Sequence, residues 1–300
     1  MKRVLSIQDI SCVGKCSLTV ALPVLSAAGL EASILPTSIL STHTAFKGFT
    51  FRDLTEDILP IARHWKEQKI EFDGIYTGYL GSVRQIEAVE RVFSDFKTPG
   101  QLCFVDPAMG DNGELYVGFT PEFARRMGKL CSKADIIVPN LTEAAYMLGE
   151  ECLPKGYSEK AVKELLLRLT ALGAPTVVLT GISYEPGRCG VAGYDCERGE
   201  YFSYFSEQLP VLFHGTGDVF ASAFFGALMR EMALSEALKT AVDFTVESMR
   251  CSLSHADYNW YGVDFETALP KYIEMLNGLR QAAGSTDEVG CRPDGLSSLQ

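Results

Sequence analysis

Short β-rich runs alternate with helix-patterned segments from the N-terminus to residue 181, and this rhythm constrains the fold more than any other feature of the chain. The runs are VLSI (4–7), ASILPT (32–37), DGIYTG (73–78), LCFVDP (102–107), DIIVPN (135–140) and PTVVLTG (175–181). Between them, segments near 15–28, 55–69, 83–96, 121–132, 142–149 and 158–172 carry apolar residues three and four apart, the period of an amphipathic helix. Such repetition with short loops predicts parallel strands joined by right-handed crossovers, hence a doubly wound α/β sheet. After residue 181 the rhythm changes. CGVAGYD (189–195) and YFSYFSE (201–207) alternate like an antiparallel hairpin turning at 197–199. Helices are expected over 216–231, 236–251 and 265–279. No internal repeat or linker divides residues 1–280, which read as one domain. The tail from about 281, AGSTDEVGCRPDGLSSLQ in its bulk, has lost periodicity and reads as disordered.

Composition narrows the function classes. A formal net charge of −11 argues against nucleic acid as a partner, because phosphate backbones call for basic patches. Any phosphate site must therefore be built locally, from backbone N–H groups, a metal ion or both. Charges interrupt every apolar stretch well short of a bilayer-spanning length, so no membrane span is expected. Gln8 and Asp9 cut short the only apolar run near the start, which speaks against a signal peptide. Nine scattered cysteines with no CxxC read as reduced thiols of a cytoplasmic protein. Cys12 and Cys16 more readily pack than react. The four histidines show no metal-ligand spacing, and His43 reads as a structural residue.

In open α/β sheets, ligands gather outside the carboxyl ends of the strands. Polar residues stand there in this chain: Asp9 after the first run, Thr77–Gly78–Tyr79 after the third, Asp106 after the fourth, Asn140 with Glu143 after the fifth, and Thr180 in the sixth. The stretch HGTGD (214–218) opens a helix with two glycines and a carboxylate. Gly215 and Gly217 allow close backbone approach, and the first amides of a helix point at an anion with the positive end of the dipole behind them. Neither a Walker lysine motif nor GxGxxG after the first strand is present. Phosphoryl transfer without that lysine can rely on Mg²⁺ and backbone dipoles. Asp218 suits both a helix cap and a base beside a phosphate cradle. Asp106 and Glu143 suit both solvated loop carboxylates and oxygen ligands for Mg²⁺.

Taken in order, SIQDISCVGKCSL, LSTHTAFKG, YTGYLGS, VDPAMGDNGELY, DIIVPNLTEA, VLTG and HGTGDVFASAFFGAL resemble the ribokinase-like kinases of small metabolites, and among them the pyridoxal (vitamin B6) kinases. The resemblance runs from residue 4 to about 276. It implies a ribokinase-like, three-layer fold with a mostly parallel central sheet, and transfer of phosphate from ATP to the 5′-hydroxymethyl group of a B6 vitamer. By that resemblance Asp218 is the general base, and Gly215, Thr216 and Gly217 build the anion hole with it. Asp106, Asn140, Glu143 and Thr180 serve the nucleotide, with Asp106 and Glu143 on the metal. Asp9, Thr44 and Tyr79 hold the pyridine ring, while Asp111 to Tyr116 form a mobile flap. The resemblance also implies Mg²⁺, with a monovalent cation such as K⁺ as a further candidate, and a homodimer. One departure stands out: many pyridoxal kinases carry serine after Ile-Gln, where this chain has Asp9. A carboxylate there leaves the preferred vitamer open, with pyridoxamine one candidate. The nearest rival, hydroxymethylpyrimidine kinase, usually carries cysteine at the last position of GTGD, and Asp218 speaks against it. A non-catalytic vitamer carrier is the third reading, disfavoured by the intact set Asp218, Gly215, Gly217, Asp106 and Glu143.

Overall fold

Successive strand residues point to opposite faces of a sheet, so strands covered by helices on both sides must be apolar throughout. The computed structural model describes residues 1–284, with side chains described to residue 278. The chain runs β1 (Arg3–Ser11), α1 (Leu18–Ala27), β2 (Glu31–Leu40), β3 (Phe51–Asp53), α2 (Thr55–Glu67), β4 (Gly74–Thr77), α3 (Val83–Phe96) and β5 (Leu102–Val105). It continues through β6 (Gly110–Asp111), β7 (Glu114–Leu115), α4 (Pro121–Cys131), β8 (Ile136–Ile137), α5 (Leu141–Leu148), α6 (Glu159–Thr170) and β9 (Thr176–Ile182). Last come β10 (Arg188–Asp195), β11 (Glu200–Glu207), α7 (Thr216–Met229), α8 (Leu234–Leu253) and α9 (Phe265–Gly284).

Nine strands form one sheet in the order β11-β10-β9-β8-β5-β4-β1-β2-β3. The six from β9 to β2 are parallel, and β3, β10 and β11 are antiparallel additions at the edges. Leu5, Ile7, Ile75, Val105, Ile137 and Leu179 pack with α2 to α6 on one face. Val4, Tyr76, Phe104, Val138 and Val178 pack with α1, α7, α8 and α9 on the other. The central strands thus feed two apolar layers, the expected three-layer arrangement with its hairpin at one edge.

From β1 the chain steps outward to β2 and then crosses to β4 on the opposite side. The strand order reverses there, opening a crevice above the carboxyl ends of β1 and β4. Several boundaries differ from the sequence expectation. The helix expected from about 15 starts at Leu18, because Gly14, Lys15 and Ser17 hold positive φ (139°, 45° and 51°) that no α-helix accommodates. Strand β3 and the small β6–β7 hairpin lack an apolar alternation long enough to read. Helix α9 runs to Gly284, past the end expected at 279, as the helix-favouring Gln281, Ala282 and Ala283 allow. Residues 285–300, most of the expected tail, lie outside the described residues.

Candidate active site

Asp218 is the third residue of α7. The cap position belongs to Gly215, in left-handed conformation at φ 78°, so the carboxylate is not the cap that the sequence allowed. Only glycine serves there: a Cβ at Gly215 would stand 2.1 Å from the Lys15 carbonyl oxygen. Gly217 is exposed with open space above it, and the amides that open α7 have no acceptor within the helix. The backbone N–H groups of Ser17 and of Asp218 itself favour the ionised form of the Asp218 carboxylate. Burial, with the charge of Asp9 adding to it, pushes its pKa up to about 7.

Asp9 lies near the end of β1, at the topological switch point, and is buried. Its carboxyl pKa is raised by burial and drawn back by the hydroxyls of Ser17 and Ser11, the latter donating to Oδ2 at 3.0 Å. Tyr79, just beyond β4, is pushed up to about 12 by burial and by Asp9, which places its phenol in the field of that carboxylate. Cys16 lies in the fields of Asp218 and Asp9, and burial first, then these charges, raise its thiol pKa. It is a packed thiol, not a nucleophile.

Asp106 follows β5, its N–H donating to the Thr77 carbonyl at 2.8 Å. Only 8% of it is exposed, and its carboxylate receives no hydrogen bond from the described residues. Burial, then the charges of Glu143 and Asp218, hold its pKa well above the ordinary range. Glu143 is the third residue of α5 and forms a capping box with Asn140: Oε2 accepts from the Asn140 N–H at 2.9 Å, and Asn140 Oδ1 accepts from the Glu143 N–H at 3.0 Å. Its Oε1 accepts from the Met109 N–H at 3.1 Å. Burial still pushes its pKa up to about 8, against these N–H donors. Helix capping and an acidic site coincide in one residue. Thr180 bridges to Asn140 between β9 and the start of α5, at the same sheet edge.

The expected flap is a two-stranded hairpin turning through Asn112 (φ 52°) and Gly113 (φ 85°). It is fastened to α5 by Gly113 N–H to Thr142 Oγ1 at 2.9 Å and to Asn140, whose Nδ2 donates to the Gly110 carbonyl at 2.8 Å. Asp111 is exposed and caps its own turn through Asn112. Tyr116, 40% exposed just past the hairpin, has its phenol raised by burial and by the charges of Glu143, Asp111, Asp218 and Asp106. Asp9, Tyr79, Asp106, Asp111, Tyr116, Glu143 and Asp218 are therefore linked through shared fields. Thr44 is not among them: it is exposed, in the turn after His43.

Two features escaped the sequence reading. Ser17, buried at the cap position of α1 without a cap bond, favours the ionised forms of both Asp9 and Asp218, yet in sequence it is merely a serine before a helix. The segment 255–263 roofs the loop after β2: the His43 Nε2 position contacts the Tyr261 carbonyl at 3.0 Å, and the Trp260 ring lies 4.6 Å from Phe46. His43 Nδ1 accepts from the Ala45 N–H at 3.2 Å, so His43 is the neutral Nε2–H tautomer in a structural role. His214, exposed, has its ring 5.0 Å from that of His43. No apolar period announced this roof.

The sequence profile of the phosphomethylpyrimidine kinase family matches residues 25–261. The pyridoxal kinase of Arabidopsis thaliana is 26% identical over 271 residues, covering 87% of this chain and 85% of that protein. A Bacteroides thetaiotaomicron protein designated a phosphomethylpyrimidine kinase, solved with pyridoxal, superposes with a TM-score of 0.86 at 38% identity, covering 90% of this chain and 95% of its own. The pyridoxal kinase of Lactobacillus plantarum superposes at 0.83 with 31% identity, covering 93% and 99%. The profile spans most of the chain and the same ribokinase-like fold recurs in these structures, so the chain belongs to the phosphomethylpyrimidine kinase family.

Proposed function

We propose that this protein transfers the γ-phosphoryl group of ATP to the 5′-hydroxymethyl oxygen of a B6 vitamer. One observation carries the reading. Asp218 stands beside the opened amides of α7 with its pKa pushed up to about 7, where a carboxylate can both accept and release a proton near neutrality. Asp218 takes the proton of the hydroxymethyl group as its oxygen attacks the γ-phosphorus. The bond from that phosphorus to the β,γ-bridging oxygen breaks, and ADP leaves with the electron pair. The amides of Thr216 and Gly217, at the positive end of the α7 dipole, stabilise charge on the transferring group. Asp9 and Tyr79 face the acceptor ring at the switch point. Asp111 and Tyr116 cover it, excluding water that would otherwise be phosphorylated in its place.

Mg²⁺ fits the acidic set. Asp106, buried without a hydrogen-bond donor, shares its field with Glu143 and Asp218, a concentration of negative charge that calls for a cation. The proposed ion is held by one or two carboxylates together with phosphates and water, the usual Mg²⁺ arrangement. When bound, Mg²⁺ neutralises the charge of the triphosphate. Asn140 and Thr180 lie on the nucleotide side.

The family profile also admits a pyrimidine alcohol as acceptor. A competition assay separates the two: Mg²⁺–ATP with equimolar pyridoxal, pyridoxamine, pyridoxine and hydroxymethylpyrimidine, followed by mass spectrometry. Phosphorylated pyridines are the expected products, and a predominance of phosphorylated pyrimidine would reassign the acceptor. Omitting Mg²⁺ or K⁺ from the same assay reads the cation requirement. The proposal extends to a homodimer, which a monomer mass in sedimentation equilibrium would refute.

A further inference from the structure

Helix α3 opens on Ser82, Val83, Arg84 and Gln85, the spacing of a capping box. Half of the box is present: the Gln85 N–H donates to Ser82 Oγ at 3.3 Å. The other half is not. Gln85 Oε1 accepts from the N–H of Gly81, one residue before the cap, at 2.7 Å, and Nε2 leaves the helix altogether. It donates to the Thr37 carbonyl in β2 and to Asp53 Oδ1 in β3, both at 2.9 Å. These partners force the orientation of the amide, because the Gly81 N–H can only donate and the Thr37 and Asp53 oxygens only accept. Gln85 is fully buried, and both Nε2 hydrogens are in use.

The two ends of this side chain reach the two sides of the acceptor subsite. Gly81 belongs to the loop that follows β4 and carries Tyr79. Phe51 Cζ and Tyr79 Cε1 lie 3.7 and 3.8 Å from where a Cβ at Gly81 would stand. Thr37 belongs to a β-bulge. Gln8 pairs with Pro36 and Ile10 with Ile39, so the single residue Asp9 stands opposite two, Thr37 and Ser38. Such a bulge re-aims the side chain beside it, and its backbone must be fixed for Asp9 to be fixed. The Thr37 and Ser38 hydroxyls are buried without a hydrogen-bond partner among the described residues. The Thr37 carbonyl is held instead, by the Leu54 N–H at 3.0 Å and by Gln85. A glutamate at position 85 would cap the helix as well as glutamine and still accept from Gly81. It could not donate to Thr37, and it would set a second charge against Asp53. The donors are what glutamine adds, and they serve β2 and β3 rather than α3.

We propose that Gln85 is a positioning residue for the acceptor: one buried amide ties the β2 bulge beside Asp9 to the loop that carries Tyr79, and so fixes the gap into which the acceptor ring fits. This inference rests on the proposed function for the presence of a ring between Asp9 and Tyr79. The tie between β2 and the loop rests on the hydrogen bonds themselves. A fixed gap matters only while both walls touch the ring. Gln85 and Tyr79 should therefore act together on the acceptor and leave Mg²⁺–ATP alone.

A double-mutant cycle tests it. Full-length protein carrying Gln85→Glu, Gln85→Met or Ser82→Ala, and each Gln85 variant again with Tyr79→Ala, is compared with the wild type by steady-state kinetics on each vitamer and by thermal unfolding. Both Gln85 variants are expected to raise the vitamer KM about five- to tenfold, with the Mg²⁺–ATP KM changed by less than about twofold. Gln85→Met, uncharged and of similar length, carries the test alone if the buried glutamate prevents folding. Ser82→Ala removes only the helix cap, and should lower Tm while leaving the vitamer KM within about twofold. In the Tyr79→Ala background, the Gln85 substitutions should change the vitamer KM by less than about twofold. An unchanged vitamer KM in Gln85→Met, a matching rise in the Mg²⁺–ATP KM, or an equal rise in both backgrounds would overturn the proposal. A wild-type protein that phosphorylates no vitamer would overturn the functional reading instead. The tie is then read by hydrogen exchange: the Gly81 and Leu54 amides should both exchange at least about tenfold faster in Gln85→Met, and acceleration of Gly81 alone would overturn the tie.

Discussion

At the amino ends of the central strands carboxylates have partners; at the carboxyl ends they have each other. Asp73, just before β4, accepts from the Arg3 N–H at 2.6 Å, and its own N–H returns a bond to the Arg3 carbonyl. Asp135, just before β8, accepts from the Cys103 N–H at 2.6 Å and from Lys97 Nζ at 2.8 Å. These residues align neighbouring strands. At the opposite end Asp9, Asp106, Glu143 and Asp218 are buried or half-buried without a single ion pair among the described residues, and every one has a raised pKa. The same sheet therefore has one end whose carboxylates align strands and one that gathers buried carboxylates without ion pairs, the end at which the proposed function seats its ligands. Like charges kept together at a cost to folding are a common property of functional sites.

The comparison breaks most visibly if Asp218 proves dispensable. Asp218→Asn should lower turnover by about 10²- to 10⁴-fold while leaving the folded structure intact; near-normal turnover in a folded variant would remove Asp218 as base. The pH profile sharpens the same point. Because the base must be deprotonated, kcat/KM should rise about tenfold per pH unit up to about 7, the value for Asp218, and then level. A profile flat between pH 5 and 8 would contradict it.

At the amino end the effect should fall on stability alone. Asp135→Ala leaves the Cys103 N–H and Lys97 without their acceptor and should cost about 1–2 kcal/mol in urea unfolding, with kcat and KM unchanged. A loss of activity at equal stability would show that the two ends are not separable. The smallest effect is a slope. A carboxyl group with a pKa near 7 when folded and about 4 when unfolded binds its proton more tightly in the folded chain. Its stabilising contribution is full below about pH 4 and is lost as pH rises through about 7. Stability of the ligand-free protein should decline over that window, and Asp218→Asn should make the decline shallower. An identical slope in the variant would mean that Asp218 titrates as it does in the unfolded chain.

Much of the fold was legible because it is written in local periods. The six parallel strands, their intervening helices and the hairpin at β10–β11 follow from alternation and from turn residues close in sequence. What escaped were elements held by contacts alone. β3 is three residues paired to an already formed edge, and the flap hairpin turns on Asn112 and Gly113 with its anchor on α5. The start of α1 was misplaced by three residues, because the apolar spacing continues back through 15–17 while the backbone there is drawn out of helical φ. In the site, Asp9, Asp106, Glu143 and Asp218 were readable as acidic residues at strand and helix ends. Nothing local distinguished Ser17 from an ordinary cap, or Thr44 from the better-connected residues.

From the sequence alone came the class of sheet, the edge at which polar residues gather, the glycine-opened helix and its carboxylate, since each depends on residues within one turn or one strand. The tertiary structure decided how charges from β1, β5, α5 and α7 share a field, and therefore which carboxylates hold protons near neutrality. It also decided that Gly215, and not Asp218, caps α7. The physical reason is distance: a pKa depends on burial and on charges a few ångströms away, and in this chain those neighbours stand as far apart in sequence as Asp9 and Asp218.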